Sequence, residues 1–164
     1  NRQKNGGHPM ISTRVIKIKT QVLVVNDNAI ELASLVTGLE AEGFQVKGTT
    51  DAFSALDILD HSHFDVVLID LMIPNLNGLQ LARKIRDQFP KINTMLMSDY
   101  LLSPVQLAKA DTGAVGFVPK PCNFSEIAEF INGKITNRSY KGEVHPPTAT
   151  AQSPFDVLTV RYSY

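Results

Sequence analysis

The sequence predicts an α/β fold, a doubly wound five-stranded parallel sheet flanked by helices. Three observations carry this. Short apolar, β-branched runs and helix-period segments alternate five times along the chain, with brief turn-rich connections. Residues 66–69, Val-Val-Leu-Ile, are continuously apolar, the pattern of a strand buried on both faces. Asp70 follows at once, and Pro74, Asn75, Asn77 and Gly78 supply turn chemistry behind it. A carboxylate therefore stands at the carboxyl end of a central strand, the edge where open α/β sheets place their ligands. Parallel strands need crossover helices, and right-handed crossovers put those helices on both faces.

Taken in order, residues 1–19 form an N-terminal arm. Arg2, Lys4, Arg14, Lys17 and Lys19 stand there among no acids, and residues 1–9 can be read as a cloning remnant ahead of a natural start at Met10. A solvated basic arm is preferred to a nucleic-acid site. Residues 15–19 alternate β-branched and basic side chains, a short strand or an extension of the next one. Residues 21–25 are the first buried strand. Asn26-Asp27-Asn28 ends it and can cap a helix carrying Leu32, Leu35, Val36 and Leu39 at helical spacing, stopped by Gly43.

Residues 45–49 make the second strand. Thr50 or Asp51 caps the second helix, with Phe53, Leu56 and Leu59 on its expected inner face. The third strand is 66–69, and the helix after its loop, 79–88, carries Leu79, Ala82 and Ile85 inward until Pro90. Residues 94–97 are the fourth strand, ended by Ser98-Asp99. Ser103-Pro104 reads as N-cap and N1 of the fourth helix, with Val105 and Ala108 facing in. Phe117-Val118 is a very short fifth strand, followed by Pro119-Lys120-Pro121. Asn123 with Glu126 resembles a capping box that opens the fifth helix, burying Ile127, Phe130 and Ile131.

The folded domain is thus expected over residues 20–136. Residues 137–164 are expected to be linker and C-terminal tail, polar and proline-bearing at first (Pro146, Pro147, Pro154). Residues 155–164 are β-prone again, with Leu158, Val160, Tyr162 and Tyr164 on one face. Three outcomes stay open for them: an added edge strand, a partner contact, or a disordered tail.

Composition bounds the function classes. Sixteen basic residues balance sixteen acidic ones, so no global field recruits nucleic acid or an anionic membrane. No apolar run approaches a membrane span. Cys122 is the only cysteine, which rules out an intramolecular disulfide, suits a reducing cytoplasm and reads as a packed, inert thiol. The loop after the first strand lacks a glycine-rich phosphate cradle, and no nucleophile–histidine pair stands at the strand ends, so a flavin-binding or hydrolytic enzyme is disfavoured.

The predicted topology lines up four strand-end residues along one edge: Asp27, Asp70, Ser98 and Lys120. Each alone has a plain explanation as a cap, a polar strand end or a surface charge. Together they suit phosphoryl chemistry. Two close carboxylates stay ionised when a cation sits between them, and oxygen-only donors near phosphate select Mg²⁺. One carboxylate can attack phosphorus, while the ammonium pairs with a carboxylate or a phosphoryl oxygen.

These residues, with Val-Leu-Val-Val-Asn-Asp-Asn, Ile-Asp-Leu-Met-Ile-Pro-Asn-Leu-Asn-Gly-Leu, Met-Leu-Met-Ser and Gly-Ala-Val-Gly-Phe-Val-Pro-Lys-Pro, make the chain resemble a receiver domain of two-component response regulators. That family has a flavodoxin-like (βα)5 fold, and the likeness runs from about Val22 to Ile135. The resemblance implies that Asp70 is the phospho-acceptor. It implies Mg²⁺ held by Asp27, Asp70 and the backbone carbonyl of Met72, with Asn26 contributing indirectly. Ser98 would be the switch hydroxyl, Lys120 the phosphoryl-binding lysine with a bond to Pro121 that can be cis, and Phe117 the switch aromatic. A histidine kinase or phosphotransfer protein would be the donor. The face of helix four, strand five and helix five would meet a downstream protein or a second copy. Signalling rather than enzymatic turnover is expected, with no direct nucleic-acid or membrane binding.

Three departures from the family pattern stand out. Asn26 replaces the first acid of the pair after strand one. Asp99 replaces a small residue after the switch hydroxyl. Facing the site at about 6 Å, it would cost roughly 3 kcal/mol per like-charged neighbour at an effective dielectric near 20, unless it points to solvent or helps hold the metal. Tyr100 adds bulk beside it. Asn77 before Gly78 keeps the turn role of the frequent Asp. The competing reading is a pseudo-receiver, a phosphorylation-independent binding or dimerisation module with Asn26 and Asp99 marking a decayed site.

Overall fold

The computed structural model describes residues 18–139 and 156–157, with side chains through residue 135. Strands β1 (Gln21–Val25), β2 (Gln45–Thr49), β3 (Val66–Asp70), β4 (Asn93–Ser98) and β5 (Gly116–Pro119) alternate with helices α1 (Ala29–Ala41), α2 (Ala52–His61), α3 (Gly78–Gln88), α4 (Pro104–Ala110) and α5 (Phe124–Ser139). All strand pairs are parallel, in the order β2-β1-β3-β4-β5.

The two-residue period of the strands sorts their side chains cleanly. Leu23, Val25, Val67, Ile69, Leu96 and Phe117 face one core with α2, α3 and α4. Val22, Val24, Val66, Leu68, Met95, Met97 and Val118 face the other with α1 and α5. Every residue of β3 and β4 is buried, which explains the apolar runs 66–69 and 95–97, while the polar Asp70, Asn93, Thr94 and Ser98 stand buried at the strand ends.

The caps do what their residues suggest. Asn28 accepts from the N–H groups of Ile30 and Glu31, and Asp51, rather than Thr50, caps α2 through Ser54. Asn77 and Ser103 each close a capping box, with Gln80 and Gln106. Glu126 N–H donates to Asn123 Oδ1.

One helix, α4, is rotated from its expected phase, and another, α2, departs from it at a single residue, keeping Leu56 and Leu59 against the core as expected. In α2 the inner face is Ala52, Ala55 and Leu59, while Phe53 is 58% exposed. In α4 Leu107 is buried and Val105 and Ala108 are exposed. Both helices are short, and the cap fixes where the first turn points before any apolar stripe can choose.

The sheet also has a sixth strand. β6 (Asp156–Val157) pairs in parallel with β5, in the register Gly116↔Asp156 and Phe117↔Val157. The sheet is therefore five long-expected strands plus a two-residue edge, and part of the 155–164 segment is strand. The face expected for Leu158, Val160, Tyr162 and Tyr164 lies outside the described residues, as do residues 15–17 of the arm. Helix α5 runs three residues past the boundary expected at 136.

Candidate functional site

β1 pairs with β2 on one side and β3 on the other, so the chain's direction of winding reverses between β1 and β3. The carboxyl ends of these two strands flank the crevice that such a reversal opens. Val25 is level with Ile69, Asp70 with Met97, and Ser98 with Pro119, which brings the ends of four strands to one edge. Main-chain bonds extend the alignment past the strands: Leu71 N–H donates to Met97 O and Lys120 N–H to Ser98 O, both at 3.0 Å.

Asp70 sits at the centre, 4% exposed. Its Oδ1 accepts from Met72 N–H at 2.9 Å, and its Oδ2 accepts from Lys120 Nζ. Gly78 makes room for the loop that follows. A Cβ there would stand 2.4 Å from the carbonyl oxygen of Asp70 and 2.7 Å from Leu71 Cα, so a side chain would push the acceptor's own backbone aside. Lys120 reaches Asp70 across a cis bond to Pro121 and keeps only 7% of its side chain exposed.

A residue that the sequence reading missed completes the cluster. Glu31, in the first turn of α1, holds Lys120 Nζ at 2.9 Å from Oε1 and 3.0 Å from Oε2. Burial works against charge on Lys120, but its bonds to Asp70 and Glu31 outweigh that and raise its pKa. Burial likewise opposes charge on Glu31, and there the Asn26 amide and the Lys120 ammonium win, lowering its pKa.

Asn26 is wholly buried; its Oδ1 accepts from Asn28 N–H at 2.8 Å, while its Nδ2 completes no hydrogen bond. The amide thus acts on Glu31 as a nearby dipole rather than as a donor in good geometry. A sequence signal for Glu31 existed, since it lies four residues beyond Asp27. An acid in a helix's first turn is, however, fully explained by the helix dipole.

The remaining candidates fall around this centre. Ser98 is 1% exposed and its Oγ accepts from Tyr100 N–H at 3.0 Å, a bond that does not use the hydroxyl proton. Asp27, Met72, Ser98 and Tyr100 line one open groove of about 560 Å³. Asp99 lies 3.9 Å from Lys120 with 72% of its side chain exposed. It lies beside a cation and largely in solvent, so the like-charge cost set out for an Asp99 facing the site at about 6 Å is reduced by screening. Phe117 is buried against the α4 side of the sheet, away from the groove.

Among the described residues no group of three His, Cys, Asp or Glu side chains is arranged to hold a metal ion by itself, and the acids Glu31, Asp70 and Asp99 gather around the Lys120 ammonium. Asp27 and Asp70 could offer carboxylate oxygens to a metal at this edge, with main-chain oxygens and water completing the set. That all-oxygen set, with few protein ligands, fits Mg²⁺ better than a transition metal.

Comparison with known proteins agrees with this geometry. A family profile for the response regulator receiver domain matches residues 22–132. The chain is 29% identical over 119 residues to a probable transcriptional regulatory protein of Picosynechococcus, covering 68% of this chain and 47% of that protein. It is 29% identical over 123 residues to the hybrid signal transduction histidine kinase L of Dictyostelium discoideum, covering 70% of this chain and 7% of the kinase. Among solved structures, a CheY-like response regulator receiver domain protein from Methanospirillum hungatei superposes with a TM-score of 0.69 at 24% identity, over 76% of this chain and 100% of that one.

The chain belongs to the response regulator receiver domain family, the signalling modules of two-component systems. It spans about half the length of the first curated relative, at 47%, and a small fraction of the second. No helix among the described residues is long and apolar enough to cross a membrane.

Proposed function

We propose that this receiver is phosphorylated on Asp70 by a histidine kinase or phosphotransfer protein. The observation that carries the reading is the state of Asp70: a buried carboxylate, fixed by Met72 N–H and the Lys120 ammonium, whose chain neighbours Leu71 and Met72 line a groove with Asp27 and Ser98. A carboxylate oxygen of Asp70 attacks phosphorus, the P–N bond to the donor imidazole breaks, and its electron pair leaves with the nitrogen. The product is an acyl phosphate.

Lys120 holds the carboxylate in place before transfer and offers its ammonium to a phosphoryl oxygen afterwards. The Ser98 hydroxyl supplies a second donor, and Phe117 lies one strand away to sense its movement. Asp27, Asp70 and the Met72 carbonyl are the residues that would hold Mg²⁺. When bound, the metal offsets negative charge on the phosphoryl oxygens. The α4–β5–α5 face, to which β6 adds an edge, is the surface that would meet a downstream protein or a second copy.

Intact mass after incubation with acetyl phosphate and Mg²⁺, beside Asp70→Asn, tests the reading. We expect one phosphoryl adduct, stable to mild acid and labile to base, on the wild-type chain alone. An adduct that persists in the Asp70→Asn chain would overturn Asp70 as acceptor. Failure to bind both Mg²⁺ and beryllofluoride would overturn the phospho-switch itself.

A further inference from the structure

We propose that Glu31 is the positioning residue for Lys120, supplying from the first turn of α1 the carboxylate that the end of β1 lacks at Asn26. The inference rests on the reading of this edge as a phosphoryl-accepting site. Its grounds are geometric. Lys120 Nζ stands between Asp70 Oδ2 and both oxygens of Glu31, so its position is fixed from two sides. Asn26 occupies the strand end beside them with no charge to offer, and its wholly buried Nδ2 has no hydrogen-bond partner. The carboxylate that faces Lys120 beside Asp70 thus comes from the helix, while the strand end offers an amide.

The consequence is a division of labour. With Glu31 present, Lys120 shares its charge between two carboxylates, and Asp70 keeps more of its own for a cation or for attack on phosphorus. Without Glu31, the ammonium shifts toward Asp70, with only the exposed Asp99 at 3.9 Å as a second carboxylate, and competes with any metal there. Glu31 makes this contribution from a side chain that is one-third exposed, so replacing it does not open the core.

The test uses the full chain, wild type beside Glu31→Gln, Glu31→Asp and the double variant Asn26→Asp with Glu31→Gln. Two quantities are read: the metal-free ¹H–¹⁵N signal of the Lys120 ammonium, and Mg²⁺ affinity by calorimetry. Glu31→Gln is expected to shift and broaden the ammonium signal and to weaken Mg²⁺ binding by about three- to tenfold, the size of one lost charge at partly screened distance. Glu31→Asp, which keeps the charge but loses reach, should give the same signal change. The double variant should return Mg²⁺ affinity to within about twofold of wild type, on the same electrostatic grounds.

An unchanged ammonium signal in Glu31→Gln would overturn the proposal, as would a double variant no better than the single one. A wild-type chain that binds no Mg²⁺ would count against the phosphoryl-accepting reading alone. The ammonium signal, read without metal, would then still decide the role of Glu31.

Discussion

Cys122 shows how much a single side chain's surroundings decide. It stands two residues beyond Lys120, half-buried, and burial lifts its pKa from the ordinary 9.0 to about 11. The thiolate is the reactive form, so two pH units mean about a hundredfold less of it at any pH below both values. Iodoacetamide at pH 8 should therefore label Cys122 far more slowly in the native chain than in urea, which a mass-spectrometric time course reads directly. The linked effect on stability has a definite sign. A raised pKa favours the folded state below pH 9, and the benefit fades as pH rises toward about 11. The sequence reading of a packed, inert thiol, from the lack of Cys or His neighbours, is what that labelling experiment tests. Asp70, Ser98 and Lys120 were legible in the sequence as an edge cluster, because their chemical types end successive strands. Glu31 was not legible, because a first-turn acid already has an ordinary purpose and the pairing with Lys120 crosses 89 positions of sequence.

At the scale of the element, strands were easier to read than the inner faces of short helices. A strand's side chains alternate strictly, so Val22 and Leu23 go to opposite cores whatever the flanking residues are. A helix of seven residues such as α4 offers fewer than two full turns. Its capping box and Pro104 then set the rotation, and Leu107 rather than Val105 meets the core. The difference is measurable. Leu107→Ala should cost about 2–5 kcal/mol in urea unfolding, whereas Val105→Ala, at a side chain 62% exposed, should stay within about 0.5 kcal/mol. Equal losses at the two positions would mean that α4 sits in the other phase in solution. In α2 the miss is confined to Phe53: Leu56 and Leu59 meet the core as expected, and Ala52 and Ala55 join them.

For the whole molecule, five alternations of strand and helix sufficed to give the doubly wound sheet, since parallel pairing and right-handed crossover leave few other arrangements. The order β2-β1-β3-β4-β5 puts the fully buried β3 between β1 and β4, whereas β2 has no buried residue. Amide hydrogen exchange should follow that gradient. The slowest amides should lie in β1, β3 and β4 and exchange only on global unfolding, with those of β2 and β6 opening locally and first. What composition could not reveal was where the β-prone tail would go, because a two-residue pairing depends on a vacant edge rather than on any pattern inside the tail.

That pairing has a further consequence for assembly. A sheet can grow from chain to chain only where its last strand still shows unpaired main chain. On β5, Gly116 and Phe117 are already matched by Asp156 and Val157, and Pro119 carries no N–H to give. The molecule thereby moves its open edge on that side from β5 to the two residues of β6. A second copy that extended the sheet there would pair with β6, whose two residues offer a shorter main-chain ladder than the strand they cover.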